Sequence, residues 1–257
     1  MLEQIKEKLA SAQSLDRDEA LWLLTNADLL SLGKLADGVR RQMHPDRRVS
    51  FVVDRNVNYT NVCTTQCKFC AFYRDETHPD AYVLSYTQIF RKVQELVDNG
   101  GTQLLMQGGL HPDLKIDWFE DLFRQLRHRF PGVQIHSLSP AEIVHIAKLS
   151  CIPMVECLTR LHTAGLQSLP GGGAEILVDA VRQEISPNKI GWQEWAEVMR
   201  EAHHLGMKTT ATMMFGVSEQ AEDIVEHLFR VRELQAEQGG FTAFIPWSYQ
   251  PGNTALG

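Results

Sequence analysis

The chain has 257 residues, 44% hydrophobic and 22% charged, a composition that suits one folded domain and argues against disorder. Its net charge of -7 comes from 25 basic and 32 acidic residues, a poor footprint for nucleic-acid binding. No apolar run is long enough for a membrane span, and the polar start MLEQIKEKLASAQSLDRDEA lacks the apolar core of a signal peptide, so a cytoplasmic location is expected.

Apolar residues at helical spacing (Ile5, Leu9, then Leu21, Leu24, Leu29, Leu30 and Leu35) predict a helical segment over 1–48. Pro45-Asp46 ends it, and the remainder, 49–257, reads as a second unit. The pattern then changes to β-rich at Val52–Tyr59, which predicts a first strand. Amphipathic spacing over Ser85–Asn99 predicts a helix, closed by Gly100. Strands follow at Thr102–Gln107 and Val133–Ser137, with a helix over Trp118–Phe130 between them. Residues 140–164 read as two helical pieces around Pro153, and Leu166–Leu169 as a short fourth strand. Helices are predicted over Glu175–Glu184, Trp192–Leu205 and Gln220–Gln238, and strands over Lys208–Met214 and Phe241–Pro246. Six strand–helix steps of this kind imply an α/β fold with a parallel sheet, curved into a partial TIM-type barrel of about (β/α)6.

The chemistry concentrates just after the first strand. Three of the five cysteines stand in Cys63-Thr-Thr-Gln-Cys67-Lys-Phe-Cys70, a C-x3-C-x2-C spacing. Three thiolates can hold a four-iron cubane and leave one iron open to a chelating ligand. A zinc site is the competing reading, but structural zinc normally takes paired C-x2-C units, and a second pair is missing. Cys151 and Cys157 read as core thiols. Gly108-Gly109 ends the second strand, where glycine permits close approach of a ligand to the backbone. Pro170-Gly-Gly-Gly-Ala-Glu175 is a second glycine-rich strand exit without the lysine of a phosphate loop. Ser137, Ser139 and Glu142 cluster at the third strand end; Thr210 and Thr212 share one face of the fifth strand. Among scattered histidines, His111, beside the Gly-Gly pair, is the best general-base candidate.

The cysteine spacing, with Phe69 before the last cysteine, resembles the signature of the radical S-adenosylmethionine superfamily. Longer stretches resemble the cyclic dehypoxanthinyl futalosine synthase family: Asn58–Cys63, Cys70–Arg74, Met106–Asp113, Leu169–Leu177, Ile185–Pro187, Gly206–Gly216 and Gly240–Trp247. The resemblance implies a [4Fe–4S] cluster on Cys63, Cys67 and Cys70, with S-adenosyl-L-methionine as cosubstrate. It implies cofactor contacts at Phe69, Tyr73, Gly108, Gly109, Ser139 and Glu175, with His111 and Thr212 serving the reaction and Thr210 beside them. The implied reaction is radical cyclisation of dehypoxanthinyl futalosine, a nucleoside-like small molecule, on the futalosine route to menaquinone. An electron donor such as flavodoxin or ferredoxin is implied as partner, and neither nucleic acid nor membrane. Aminofutalosine synthesis and an inactive cluster-binding fragment are the alternatives. Two departures are visible. Members of the family read Gly-His after the fifth strand, where this chain has Gly216-Val217. They also run on through two further βα units, so a C-terminal truncation, or a separately encoded remainder, is expected.

Overall fold

The computed structural model describes residues 1–257. Three helices open the chain: α1 (Leu2–Ala10), α2 (Arg17–Asn26) and α3 (Leu29–Met43). Asp16 starts α2 through a reciprocal capping box with Glu19, and Asp28 caps α3 by accepting from the Leu30 and Ser31 amides. The segment rests on the last helix of the chain, α10 (Ala221–Gln238), where Arg17 pairs with Glu226 at 2.9 Å and Glu233 at 3.2 Å. These pairs are exposed, and each contributes ~1 kcal/mol or less.

From residue 54 strands and helices alternate: β1 (Asp54–Asn58), α4 (Tyr86–Asp98), β2 (Gln103–Gln107), α5 (Ile116–Arg129), β3 (Gln134–Ser137), α6 (Pro140–Ser150), α7 (Met154–Ala164), β4 (Ser168–Leu169), α8 (Asp179–Ile185), α9 (Trp192–His204), β5 (Lys208–Phe215), α10 and β6 (Phe241–Ser248). The strands form one sheet in the order β1-β2-β3-β4-β5-β6, every pair parallel. This is the expected partial barrel, six strands wide. Parallel neighbours need a crossover connection, which the intervening helices supply. No helix is long and apolar enough to cross a membrane.

The main core lies between the sheet and its helices. Leu104, Met106 and Ile135 from the strands meet Ile89, Val93, Phe119, Leu122, Phe123 and Leu158 from the helices, all essentially without solvent contact. The period of two in β2 turns Leu104 and Met106 to this side. Helix α6 is buried nearly all round, from Pro140 to Val144 and again at Ile146 and Ala147, because it is packed by α7 and α9. It ends on Cys151, whose φ of 55° is left-handed and whose side chain is exposed. Only Cys157 of the expected core-thiol pair is buried. Cys151 sits outside the core because the chain reverses there, between α6 and Pro153.

Two buried histidines set the acid stability. In β3, His136 shares a 2.7 Å hydrogen bond with Ser168 of β4, and burial pushes its pKa down to about 4. His227 of α10 accepts from the Leu177 amide at 3.0 Å, and burial, with help from Arg182, pushes it down to about 3. Unfolded histidine titrates near 6.5. Below that pH the unfolded chain binds protons that the fold refuses, so stability falls as pH drops from about 6.5 towards 4. At about 1.36 kcal/mol per pH unit, His136 costs roughly 3 kcal/mol and His227 about 5 kcal/mol once each window is crossed. Urea midpoints measured at pH 7, 5.5 and 4.5 should fall progressively. The decline should be shallower in His136→Gln and His227→Gln, compared with their own values at pH 7.

Candidate active site

The end of β1 runs into a long excursion, residues 59–84, that returns on itself before α4. Several of its backbone groups pair within the loop and with its neighbours. The Cys63 amide donates to Arg74 O at 3.2 Å, and the Arg74 amide to Asn61 O at 2.8 Å. Thr64 N donates to Leu110 O at 3.1 Å, which ties the cysteine loop to the exit of β2. Gln66 takes a left-handed φ of 51° and anchors its amide on Asp75 at 3.0 Å. The Cys70 amide donates to Cys67 O at 3.0 Å. On the far side, Lys68 N donates to Ile185 O at 2.9 Å, and Asn188 Nδ2 to Thr65 O at 3.3 Å.

This folding brings Cys63, Cys67 and Cys70 onto one cavity of about 310 Å3 at the carboxyl ends of the strands. Phe69, Tyr73, Gly108, Gly109 and Ser139 line it too, as do Asn58, Gln107, Glu142 and Lys189. Strand carboxyl ends are where barrels of this kind bind ligands, and the volume lies in the range of small-molecule sites. No three His, Cys, Asp or Glu side chains converge tightly enough to hold a single metal ion. Around one zinc, thiolate sulfurs stand only about 3.8 Å apart, from a bond length of ~2.3 Å in a tetrahedron. Three thiols lining one cavity are a donor set that suits a four-iron cubane, which takes thiolate ligands. Cys67 is the most buried of the three, and desolvation pushes its thiol up to about 12. A metal bond to this sulfur would displace its proton.

Both glycines at the exit of β2 are required by space. A Cβ on Gly108 would lie 2.6 Å from the Tyr59 ring, and one on Gly109 would lie 2.1 Å from Val62 O. The Gly109 amide donates to Thr60 O at 3.1 Å, and the Gly108 amide to Glu142 Oε1 at 2.9 Å. Glu142 is the hub of this wall. Its Oε1 also accepts from Tyr59 Oη at 2.9 Å, while Oε2 accepts from the Ser139 amide and hydroxyl at 2.7 Å each. Burial pushes the carboxyl above its ordinary value, and the four donors pull the other way. The Tyr59 hydroxyl is raised well above the tyrosine range by burial, with the Glu142 charge adding to it. The Tyr59 ring stands edge-on to Phe119 at 5.4 Å and tilted against Trp118 at 5.6 Å, so it has little room to move.

The remaining expected residues stand behind or beside the cavity. Glu175, at φ 42°, turns its carboxylate to Lys189 Nζ at 2.9 Å and to Arg182 Nη1 at 3.5 Å. Lys189 is held above the ordinary lysine value: burial works most strongly against its charge, and the Glu175 carboxylate together with Cys67 outweighs it. Thr210 Oγ1 accepts from the Gly171 amide at 3.0 Å, and Thr212 Oγ1 donates to Gly171 O at 2.6 Å. The two threonines thus pin the Pro170–Gly173 turn to β5. His111 is buried in a narrow slot beside the cavity, with Nδ1 accepting from the Asp113 amide at 3.1 Å. At the departure from Gly-His, the Glu219 carboxylate accepts from the Gly216 and Val217 amides, closing the turn after β5. Lys189 and Tyr59 were not among the expected site residues. Tyr59 lies in the Asn58–Cys63 stretch that carries the resemblance but shows no role there, and nothing in the sequence marks Lys189; Glu142, three residues after Ser139, is readable as a capping-box partner.

The model of the Radical SAM superfamily matches residues 57–231, the stretch that holds the cysteine loop and the cavity walls. The chain is 44% identical to a cyclic dehypoxanthine futalosine synthase of Halalkalibacterium halodurans, over 99% of this chain and 69% of that protein. It is 41% identical to a 5-amino-6-(D-ribitylamino)uracil--L-tyrosine 4-hydroxyphenyl transferase of Methanosarcina mazei, over 94% of this chain and 62% of that protein. The chain spans about two thirds of the length of the curated relatives it matches. In structure it resembles methylornithine synthase, with a TM-score of 0.76 at 16% identity, covering 98% of this chain and 69% of that one. On the matched model, the shared length and the barrel, the chain belongs to the Radical SAM superfamily, whose cofactors are a [4Fe–4S] cluster and S-adenosylmethionine, and it stands there beside the cyclic dehypoxanthine futalosine synthases.

Proposed function

We propose that this chain is the catalytic core of an enzyme that cyclises dehypoxanthinyl futalosine, with the cluster on Cys63, Cys67 and Cys70. The single observation that carries this reading is that those three cysteines and the Gly108-Gly109 strand exit line one cavity in a chain 44% identical to a cyclic dehypoxanthine futalosine synthase. When bound, the cluster and S-adenosylmethionine supply one-electron chemistry, with 5′-deoxyadenosine as the by-product.

The chain's own residues bind, orient and exclude water. The two glycine amides are spent on Thr60 and Glu142, and Gly109 O accepts from the His111 amide at 3.0 Å. The Gly108 carbonyl accepts nothing from the chain and is the acceptor available to an amino group. Phe69 and Tyr73 supply aromatic faces on the cysteine side, and Ser139, fixed by Glu142, borders the opposite wall. Glu175 serves through Lys189, and Thr212 through the glycine turn it holds. A dry, fixed cavity matters because a radical must meet one C–H bond and no other.

The methanogen relative, at 41% identity, favours a second reading, transfer of a 4-hydroxyphenyl group from tyrosine to ribitylaminouracil. Anaerobic reconstitution followed by a 5′-deoxyadenosine assay separates them. Dehypoxanthinyl futalosine should raise 5′-deoxyadenosine at least about tenfold over protein without substrate, a difference of ~1.4 kcal/mol in the barrier. Stimulation by tyrosine with ribitylaminouracil instead would transfer the assignment to the second reaction, and no 5′-deoxyadenosine with either would overturn both.

A further inference from the structure

Lys189 is the one basic side chain on the cavity that holds the three cysteines. It is 13% exposed, and lysine is rarely buried so far without a partner. The partner is Glu175 at 2.9 Å, whose second oxygen faces Arg182 at 3.5 Å; both of these side chains are 5% exposed or less. Two cations and one anion leave this buried group with a net charge of +1. Arg182 is committed elsewhere, donating to the carbonyls of Gly173, Ala174 and Ile190 at 2.6–3.2 Å. Lys189 is the member that reaches the cavity. Its Nζ lies 5.4 Å from the centroid of the Phe69 ring, inside the cysteine motif itself. The lysine cannot drift from that loop, because Ile185 O and Asn188 Nδ2 bind the loop backbone at Lys68 and Thr65.

We propose that Lys189 is a built-in counter-cation that raises the reduction potential of the cluster, held in place by Glu175 and Arg182. The inference rests on the reading that Cys63, Cys67 and Cys70 carry the cluster. Reduction adds one negative charge to a group already surrounded by thiolates. A fixed cation on the same dry cavity favours that added charge, and net charge is one of the quantities that sets cluster potentials. The two halves of the ion pair must then act with opposite sign. Removing the lysine leaves Glu175 and Arg182 as a neutral pair, whereas removing the carboxylate leaves two cations.

The test is a potentiometric titration of the anaerobically reconstituted full chain, following the electron paramagnetic resonance signal of the reduced cluster. At the potential that half-reduces the wild type, Lys189→Met should show a reduced-to-oxidised ratio about tenfold lower, a 59 mV shift for one electron. Glu175→Gln should shift the other way, and Lys189→Arg should stay near the wild type. Shifts of the same sign in Lys189→Met and Glu175→Gln would mean that the pair only stiffens the loop and would overturn the proposal, as would no shift in either. Should Lys189→Met take up no iron, Glu175→Gln decides by itself: a positive shift supports the counter-cation, and any other result removes it. A wild-type protein without a cluster signal would instead sink the underlying assignment of the three cysteines.

Discussion

Glu142→Ala is expected to destabilise the fold by at least about 3 kcal/mol and to abolish detectable binding of S-adenosylmethionine to the reconstituted protein. Four donors converge on this one carboxylate: the Tyr59 hydroxyl, the Gly108 amide, and the Ser139 amide and hydroxyl, all within 2.9 Å. The side chain is 2% exposed, so water reaches these donors poorly once the carboxylate is gone. A buried donor left without a partner costs ~1–3 kcal/mol, more when the lost partner is charged. Partial relaxation explains why the total is set well below four times that range. The loss is not confined to stability, since the same carboxylate joins the exit of β2 to the start of α6 across the cavity wall. Glu142→Gln should be intermediate: one amide oxygen can keep either the Tyr59–Gly108 pair or the Ser139 pair, while its amide nitrogen faces the other two donors. Urea midpoints and equilibrium binding under anaerobic conditions check both effects. An alanine variant that unfolds at the wild-type urea concentration would show that the hub is dispensable.

Gly109→Ala is expected to reduce iron incorporation several-fold while leaving most of the fold standing. The added carbon would lie 2.1 Å from Val62 O and 2.8 Å from Cys63 Cβ. The first of these is backbone and cannot rotate away, so the cysteine loop itself has to shift. Overpacking of this kind costs ~1–3 kcal/mol or more. Here the displaced atoms belong to a cysteine that must meet two others around one cluster, so geometry suffers before stability does. Gly132→Ala is the matched control, with nothing within 4 Å of the added carbon. Iron per chain after reconstitution, beside the circular dichroism of each variant, reads the difference; equal iron in both variants would contradict the close approach.

The alternation of strands and helices was readable from periodicity because each amphipathic helix keeps its apolar face towards one sheet. Ser85 and Asn99 bracket α4 as its N- and C-caps, where the apolar pattern begins and ends. Helix α8 was harder. Helix-forming residues from Glu175 onward suggest an early start, but the helix begins at Asp179. Glu175 is in a left-handed conformation facing two cations, and the Leu177 amide is bound to His227, fifty residues away. Tertiary partners overrode local propensity there. The cysteines and the Gly-Gly pair were legible because their spacing or their lack of a side chain is itself the signal. Lys189 was not, since a lysine after Pro187-Asn188 looks like any turn residue until the fold buries it. Thr210 and Thr212 were correctly placed on one face by the period of two, and both reach Gly171. That they grip the neighbouring turn is a property of the fold and leaves no trace in strand alternation.

The sequential order of the six strands bears on how the site comes into being. Each strand pairs only with the strand made just before it and the one made just after. Synthesis proceeds from the N-terminus, so the sheet can grow at one edge as the chain emerges. The three thiols leave the ribosome early, directly behind β1, but the struts that hold their loop, Ile185 and Asn188, are more than a hundred residues younger. The loop therefore gains these struts only once the fourth crossover, between β4 and β5, has been made, and a nascent chain halted before residue 189 would offer its sulfurs without the scaffold that aims them.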